Sequence, residues 1–253
     1  MLGKIKMYIK TDGFQISNHI SSLLHGVLMS VIDSDYAQFL HLGGLNPFAM
    51  SLFRENGDWC WTVSAAGKEA CEKIIRPLAD KRFDSFVVTY KNNATVNITK
   101  KELNTQSVAD FAAQATDGEI PKAFRLRFIT PTAFKSNGRY VNFPDLSLIY
   151  KSLMQKSKLI FADALTDGEE TLDNLVDHSR ITSYKLQTTP FNLEGCRITG
   201  FVGTMTVRID GSDSLRGYAQ MLFRTGCLLG VGIKGSIGMG ALEILEREEN
   251  TNR

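Results

Sequence analysis

The chemistry this sequence could perform rests on four imidazoles, one glycine-rich loop and one basic polar turn. The histidines are His19, His25, His41 and His178. An imidazole titrates near neutrality, so it can take or give a proton at working pH. Attack by an RNA 2′-hydroxyl on its neighbouring phosphodiester needs such groups. The 2′-oxygen must lose a proton and the departing 5′-oxygen must gain one. His41 lies in FLHLGGLNPF, beside a glycine-containing loop. His25 lies on the preceding helix, off its apolar stripe. Each histidine taken alone also reads as a surface or capping residue, and His19 and His178 keep that reading.

The segment Gly226 to Gly240 reads GCLLGVGIKGSIGMG and holds six glycines. Glycine lets a backbone approach a phosphate closely and leaves N–H groups as donors. Lys234 adds a positive charge in the middle. A tight helix-to-strand connection needing positive φ explains the same glycines, and both readings stay open. The phosphate-loop pattern GxxxxGK[ST] fails, because Ser236 follows Gly235 where lysine is required. A dinucleotide fingerprint fails too, since the loop follows a helix near the C-terminus and not an opening strand. The third segment, TPTAFKSNGRYVNFP from Thr130 to Pro144, presents Lys135, Ser136, Arg139 and Tyr140. These suit phosphate or base contacts, or equally a solvated polar turn.

The secondary structure around these groups follows from hydrophobic periodicity. In Lys4 to Lys10, Ile5, Met7 and Ile9 alternate with Lys4, Lys6, Tyr8 and Lys10, which predicts a strand with a basic, aromatic-bearing face. Ile16, Ile20, Leu23, Leu24, Val27, Leu28 and Val31 recur at helical spacing and predict a helix over 17–32, with Ser17 or Asn18 as its cap. Strands are expected near 48–53 and 59–64, a helix over 67–80, and a hairpin over 83–99 turning at Asn92-Asn93. The order β-α-β-β-α-β is that of a ferredoxin-like unit. After a polar stretch the pattern restarts: a strand at 124–128 with Arg125 and Arg127 on one face, helices over 144–155, 169–178 and 212–225, and strands over 181–188, 197–209 and 237–245. The fold class expected is α+β, with tandem ferredoxin-like halves and antiparallel sheets. The expected boundaries are 1–103, a linker over 104–123, and 124–253.

The bulk numbers bound the rest. The 253 residues suffice for one large domain or two small ones. A net charge of +2 means that any nucleic-acid surface must come from local clustering. Cys60, Cys71, Cys196 and Cys227 have no CxxC spacing, which argues against a structural zinc site. Four scattered thiols, an N-terminus unlike a signal peptide and the lack of an apolar run of roughly 20 residues point to the cytoplasm.

The stretches HGVLMSVIDSDYAQFLHLGGLNPFA and TPTAFKSNGRYVNFP, with the GxGxxxSxGMG loop before the last strand, resemble the CRISPR repeat-processing endoribonucleases. That family lies within the repeat-associated mysterious protein (RAMP) superfamily, and the likeness is greatest to bacterial members accompanying type III-A systems. The resemblance runs over nearly the whole chain. It implies two ferredoxin-like domains and metal-independent, cofactor-free cleavage of precursor transcripts within the repeat. The products would be a 2′,3′-cyclic phosphate and a 5′-hydroxyl. The family's general-acid/base histidine maps onto His41, and its glycine-rich loop onto Gly230 to Gly240. A tyrosine and a lysine that some archaeal members use are replaced by Met29 and Asn46. His25 is then the candidate for the second proton transfer, and Lys135 for charge stabilisation. The expected RNA contacts are Lys135, Ser136, Arg139, Gly230, Gly232, Lys234, Gly235, Ser236 and Gly238. The expected partner is CRISPR repeat RNA, with transient contact to a type III effector complex, a monomer or homodimer, and no membrane. The competing readings are a non-catalytic RNA-binding subunit of an effector complex and a mononucleotide-binding enzyme.

Overall fold

The computed structural model describes residues 1–115, 118–162, 168–193 and 195–245, without the side chains of His19 and Cys196. The first sheet is built from β1 (Leu2–Lys10), β2 (Phe48–Glu55), β3 (Asp58–Ala66), β4 (Ser85–Val88) and β5 (Ala94–Gln106), in the antiparallel order β2-β3-β1-β5-β4. One face is covered by α1 (Ser21–Val31) and by a second helix assembled from α3 (Lys68–Ala70), a π turn (Cys71–Ile75) and α4 (Arg76–Ala79). Between α1 and β2 lies α2 (Ser34–His41), whose start is capped by the Asp33 carboxylate accepting from the Tyr36 N–H. The alternation read in β1 is the cause of its placement. Ile5, Met7 and Ile9 are all at most 1% exposed and pack against Leu24 and Leu28 of α1. Each such side chain contributes about 1.5–3 kcal/mol when fully buried.

The second sheet holds β6 (Ala123–Thr132), β9 (Ser179–Leu193), β10 (Cys196–Ile209) and β11 (Leu242–Leu245), in the order β11-β6-β10-β9. A small hairpin, β7 (Phe134–Ser136) with β8 (Arg139–Val141), leads into α6 (Leu146–Phe161). With α7 (Glu169–Asp177) and α8 (Asp213–Leu229), α6 covers one face of this sheet. The caps are side chains of the expected type: Asp145 accepts from the Leu148 N–H, and Ser212 from the Leu215 N–H. Each half therefore has the ferredoxin-like strand order, the first with β4 added at its edge.

Several sequence expectations need correction. The helix at 17–32 opens as a 3-10 turn over Asn18–Ile20, and neither Ser17 nor Asn18 caps it with a side chain; the Ser21 hydroxyl instead donates to Asn18 O. Residues 104–106, expected in a linker, complete β5 opposite Leu2–Lys4 of β1. The remaining polar segment contains a short helix, α5 (Val108–Ala113), which buries Phe111. The helix expected to end at residue 155 runs on to Phe161, because Ile160 continues the Ile149–Leu153 apolar row. The closing strand starts at Leu242 and not at residue 237, since Gly238 (φ 119°) and Gly240 (φ 74°) cannot extend a strand.

Two features join the halves. A shared apolar cluster brings Leu2 and Ala66 against Ile160, Leu228 and Leu229. The last carbonyls of α8 are taken one after another: Gly226 O by the Gly230 N–H (2.8 Å), Cys227 O by Lys4 Nζ (3.2 Å), Leu228 O by the Ser64 hydroxyl, and Leu229 O by Lys156 Nζ (3.0 Å). A helix end carries unsatisfied acceptors and partial negative charge, and two lysines and a hydroxyl satisfy both needs here.

Candidate active site

His25 lies on α1, whose buried residues are Ser21, Leu24 and Leu28, and His41 is the last residue of α2. The two helices bring these imidazoles together edge to face, with ring centroids 6.0 Å apart at 74°. Behind them Phe48, the buried first residue of β2, stacks on His25 at 6.4 Å and 16°. His41 is exposed and His25 is half-buried. Burial, with the neighbouring His41 adding to it, lowers the His25 pKa, so that ring is neutral at physiological pH. A neutral imidazole beside a second imidazole at a solvent-open edge has the composition of a general base and a general acid.

Met29, one turn along α1 from His25, packs into the first core and presents no group to this edge. Asn46, in the loop after His41, donates through Nδ2 to the Ser236 hydroxyl at 3.2 Å. That bond brings the glycine-rich loop of the second half up to the histidine-bearing segment. The loop also rests on α1, where a Cβ on Gly238 would meet the Ser21 side chain at 2.9 Å.

The loop glycines divide by role. Gly230 and Gly238 are buried. A Cβ on Gly230, Gly232 or Gly240 would press on the carbonyl oxygens of Gly240, Ala133 or Val231 respectively. All three also take positive φ. Their glycine character therefore serves the protein's own packing. The turn over Gly235–Ile237 is different. Lys234 at its start is exposed and left-handed (φ 58°), and its carbonyl accepts from the Ile237 and Met239 N–H groups. Among the described residues no acceptor is recorded for the N–H groups of Lys234, Gly235 and Ser236. Three successive donors beside an exposed lysine suit an anion.

Lys135, Ser136 and Arg139 lie together on the β7–β8 hairpin, with Lys135 and Arg139 exposed. Lys135 and Ser136 border a groove completed by Lys151, Gln155 and Gly232. Among the described residues, no hydrogen bond or ring contact joins Lys135 to either histidine. His178 ends α7, and its Nδ1 lies 2.9 Å from Asn174 O, a capping role. The basic face read in β1 is largely consumed inside the protein. Lys6 pairs with Glu55 (2.7 Å), the Tyr8 hydroxyl donates to the same carboxylate, Lys10 pairs with Asp58, and Lys4 holds α8. In β6, Arg127 pairs with Glu243 at 2.9 Å.

Sequence reading missed Lys156. This lysine of α6 is 5% exposed, and burial lowers its pKa to about 7. The signal was present: Ile149, Leu153 and Ile160 place position 156 on the same core-facing row. Among the described residues, no group of three or more His, Cys, Asp or Glu is placed to hold a metal ion. No helix among them is long and apolar enough to cross a membrane.

Comparison with known proteins identifies the family. Residues 126–242 match the family described as CRISPR-associated endoribonuclease Cas6. A CRISPR-associated endoribonuclease Cas6 of Streptococcus thermophilus is 33% identical over 225 residues, covering 89% of this chain and 91% of that protein. One from Mycobacterium tuberculosis (strain CDC 1551 / Oshkosh) is 34% identical over 226 residues, covering 87% and 70%. The solved structure of a Cas6 product complex superposes with a TM-score of 0.78 at 19% identity, over 97% of this chain and 99% of that one, which extends the likeness to the tandem fold. The chain is an endoribonuclease and belongs to the CRISPR-associated endoribonuclease Cas6 family.

Proposed function

We propose that this endoribonuclease cuts CRISPR precursor transcripts within the repeat, without a metal, by attack of a 2′-hydroxyl on the adjacent phosphodiester. The observation that carries the mechanism is the edge-to-face pair of His25 and His41 beside the glycine-rich loop. His25, held neutral by burial, accepts the proton of the 2′-hydroxyl. The 2′-oxygen bonds to phosphorus, and the bond from phosphorus to the 5′-oxygen breaks. His41 gives the departing 5′-oxygen its proton. The products are a 2′,3′-cyclic phosphate and a 5′-hydroxyl, and no electrons leave or enter.

Binding rests on phosphate contacts. The exposed Lys234 and the donors of Lys234, Gly235 and Ser236 form one contact, and Lys135, Ser136 and Arg139 of the hairpin form another. Lys135 suits this binding role better than charge stabilisation at the reacting phosphate, since it borders the hairpin groove with Lys151. The likeness to a Cas6 product complex supports an RNA-bound state of this fold. The proposed setting is the cytoplasm, with the protein acting as a monomer or homodimer and touching a type III effector complex transiently.

Repeat RNA incubated with the protein in EDTA tests the mechanism. The expected result is a cut at one position, unchanged by chelation, with cyclic-phosphate and 5′-hydroxyl ends by mass spectrometry. A 2′-deoxy nucleotide at that position should abolish it. Cleavage that stops in EDTA and returns with magnesium, or that survives the 2′-deoxy substitution, overturns the proposal.

A further inference from the structure

The turn that carries Lys234 is held from beneath by a single helix face. On α6, Ser152 and Lys156 are one turn apart and point the same way. The Ser152 hydroxyl accepts from the Gly232 N–H at 2.8 Å. Lys156 Nζ donates to Leu229 O at 3.0 Å, at the residue where α8 gives way to the loop. A Cβ built on Gly235 would lie 3.4 Å from Lys156 Nζ and 3.9 Å from the Ala49 Cβ of β2. The ammonium therefore sits directly under the turn whose N–H groups find no acceptor among the described residues.

We propose that Lys156 is a positioning residue for RNA and that a phosphate on the 234–236 turn is bound together with a proton on Lys156. The inference rests on the reading of that turn as a phosphate contact. The electrostatics follow from what surrounds the ammonium. The α8 terminus offers carbonyls and, two residues before Leu229, the neighbouring cation Lys4 on Cys227 O. The β2 strand contributes Ala49, and the loop contributes Gly235 beside Lys234. Burial accounts for the depressed pKa of about 7, with no carboxylate opposing it. A buried cation without a counter-anion is costly, and an anion arriving on the far side of the turn supplies one. Binding then raises the Lys156 pKa above its free value. A proton is taken up at pH values between the two, and affinity is greatest below about 7 and falls as pH rises through the bound-state value.

An imidazole can exchange a proton near neutrality as well, so the test uses protein carrying His25→Ala and His41→Ala, with its fold checked by circular dichroism. A repeat RNA with a 2′-deoxy nucleotide at the cut position is titrated calorimetrically at pH 7.5 in buffers of differing ionisation enthalpy. The expected result is uptake of a fraction of a proton per RNA, with affinity falling about tenfold from pH 6.5 to 9 for a pKa rise of about one unit. Adding Lys156→Met should abolish the uptake and flatten the pH dependence while leaving the salt slope intact. No uptake in the parent protein, a measurement that needs no change at Lys156, overturns the inference. Uptake that persists in Lys156→Met overturns it as well. Lys234→Ala separates the two readings. Unchanged affinity and salt slope in that variant would remove the phosphate contact itself, and the inference with it. A lowered salt slope in Lys234→Ala, together with no proton uptake in the parent protein that keeps Lys234, would overturn the inference alone.

Discussion

His25 and His41 meet each other at an open edge, with one buried ring, Phe48, behind them. The glycine-rich loop, which Asn46 brings alongside, is fixed by Asn46, Ser152 and Lys156 side chains and by backbone bonds to Pro131 and Ala133. The difference separates two duties. Proton transfer needs imidazoles that solvent and substrate can reach, so little packing holds them. A phosphate cradle needs its donors pre-placed, so tertiary contacts over-determine its backbone. Substitutions in the first region should change rate with little effect on stability. Those in the second should change stability or affinity before rate.

The largest effect is expected at His41. A positioned acid or base contributes ~10²–10⁴-fold, so His41→Ala should slow single-turnover cleavage by about that factor. RNA affinity should move by less than about tenfold, and the melting temperature should be nearly unchanged. His25→Ala should behave alike, and the double variant should be no slower than roughly the worse single, since the two act as one unit. Next comes Gly240→Ala. Its Cβ would press on the Val231 carbonyl at φ 74°, which should cost about 2–4 kcal/mol in urea denaturation. A fully stable Gly240→Ala would mean that the loop is not held as tightly as the comparison requires.

A third prediction concerns stability against pH. Lys156 has a pKa of about 7 when folded and about 10.5 when unfolded. Between those values the unfolded chain holds more protons, so this group makes the protein more stable as pH rises, by at most about 1.4 kcal/mol per unit. Lys156→Met lacks that slope. Urea unfolding at pH 7 and pH 9 should show wild type gaining on the variant; parallel behaviour would show that the lysine is not buried as a charge. The smallest effect is expected for Lys234→Ala, which should weaken RNA binding across sequences and lower the salt slope by about 0.7 to 1.

The same contrast explains what could be read from the residues alone. Alternation in β1 and the apolar stripe of α1 dictate their packing, so both appear in sequence and structure alike. His25 and His41 were legible because histidine is scarce here and the helical spacing set His25 apart from the stripe. The glycines were legible as a loop, yet periodicity says nothing of which backbone a glycine must admit. Gly230, Gly232 and Gly240 answer to distant carbonyls. The basic face of β1 was legible as charge, but its carboxylate partner Glu55 comes from another strand. Lys156 was harder to read: its place on the Ile149–Leu153–Ile160 row signals burial, but a lysine on a helix ordinarily points outward, and the carbonyl that accounts for it lies at the end of α8, 73 residues later.

The division of labour between the two histidines can be separated by a sulfur substitution. Replacing the 5′-bridging oxygen of the scissile phosphodiester by sulfur gives a leaving group that departs without a proton. A variant lacking only the general acid should then recover. With this RNA, His41→Ala should cleave within about tenfold of wild type, while His25→Ala stays slow by ~10²-fold or more. Recovery of His25→Ala in place of His41→Ala would reverse the two roles, and failure of both to recover would contradict proton donation by either histidine.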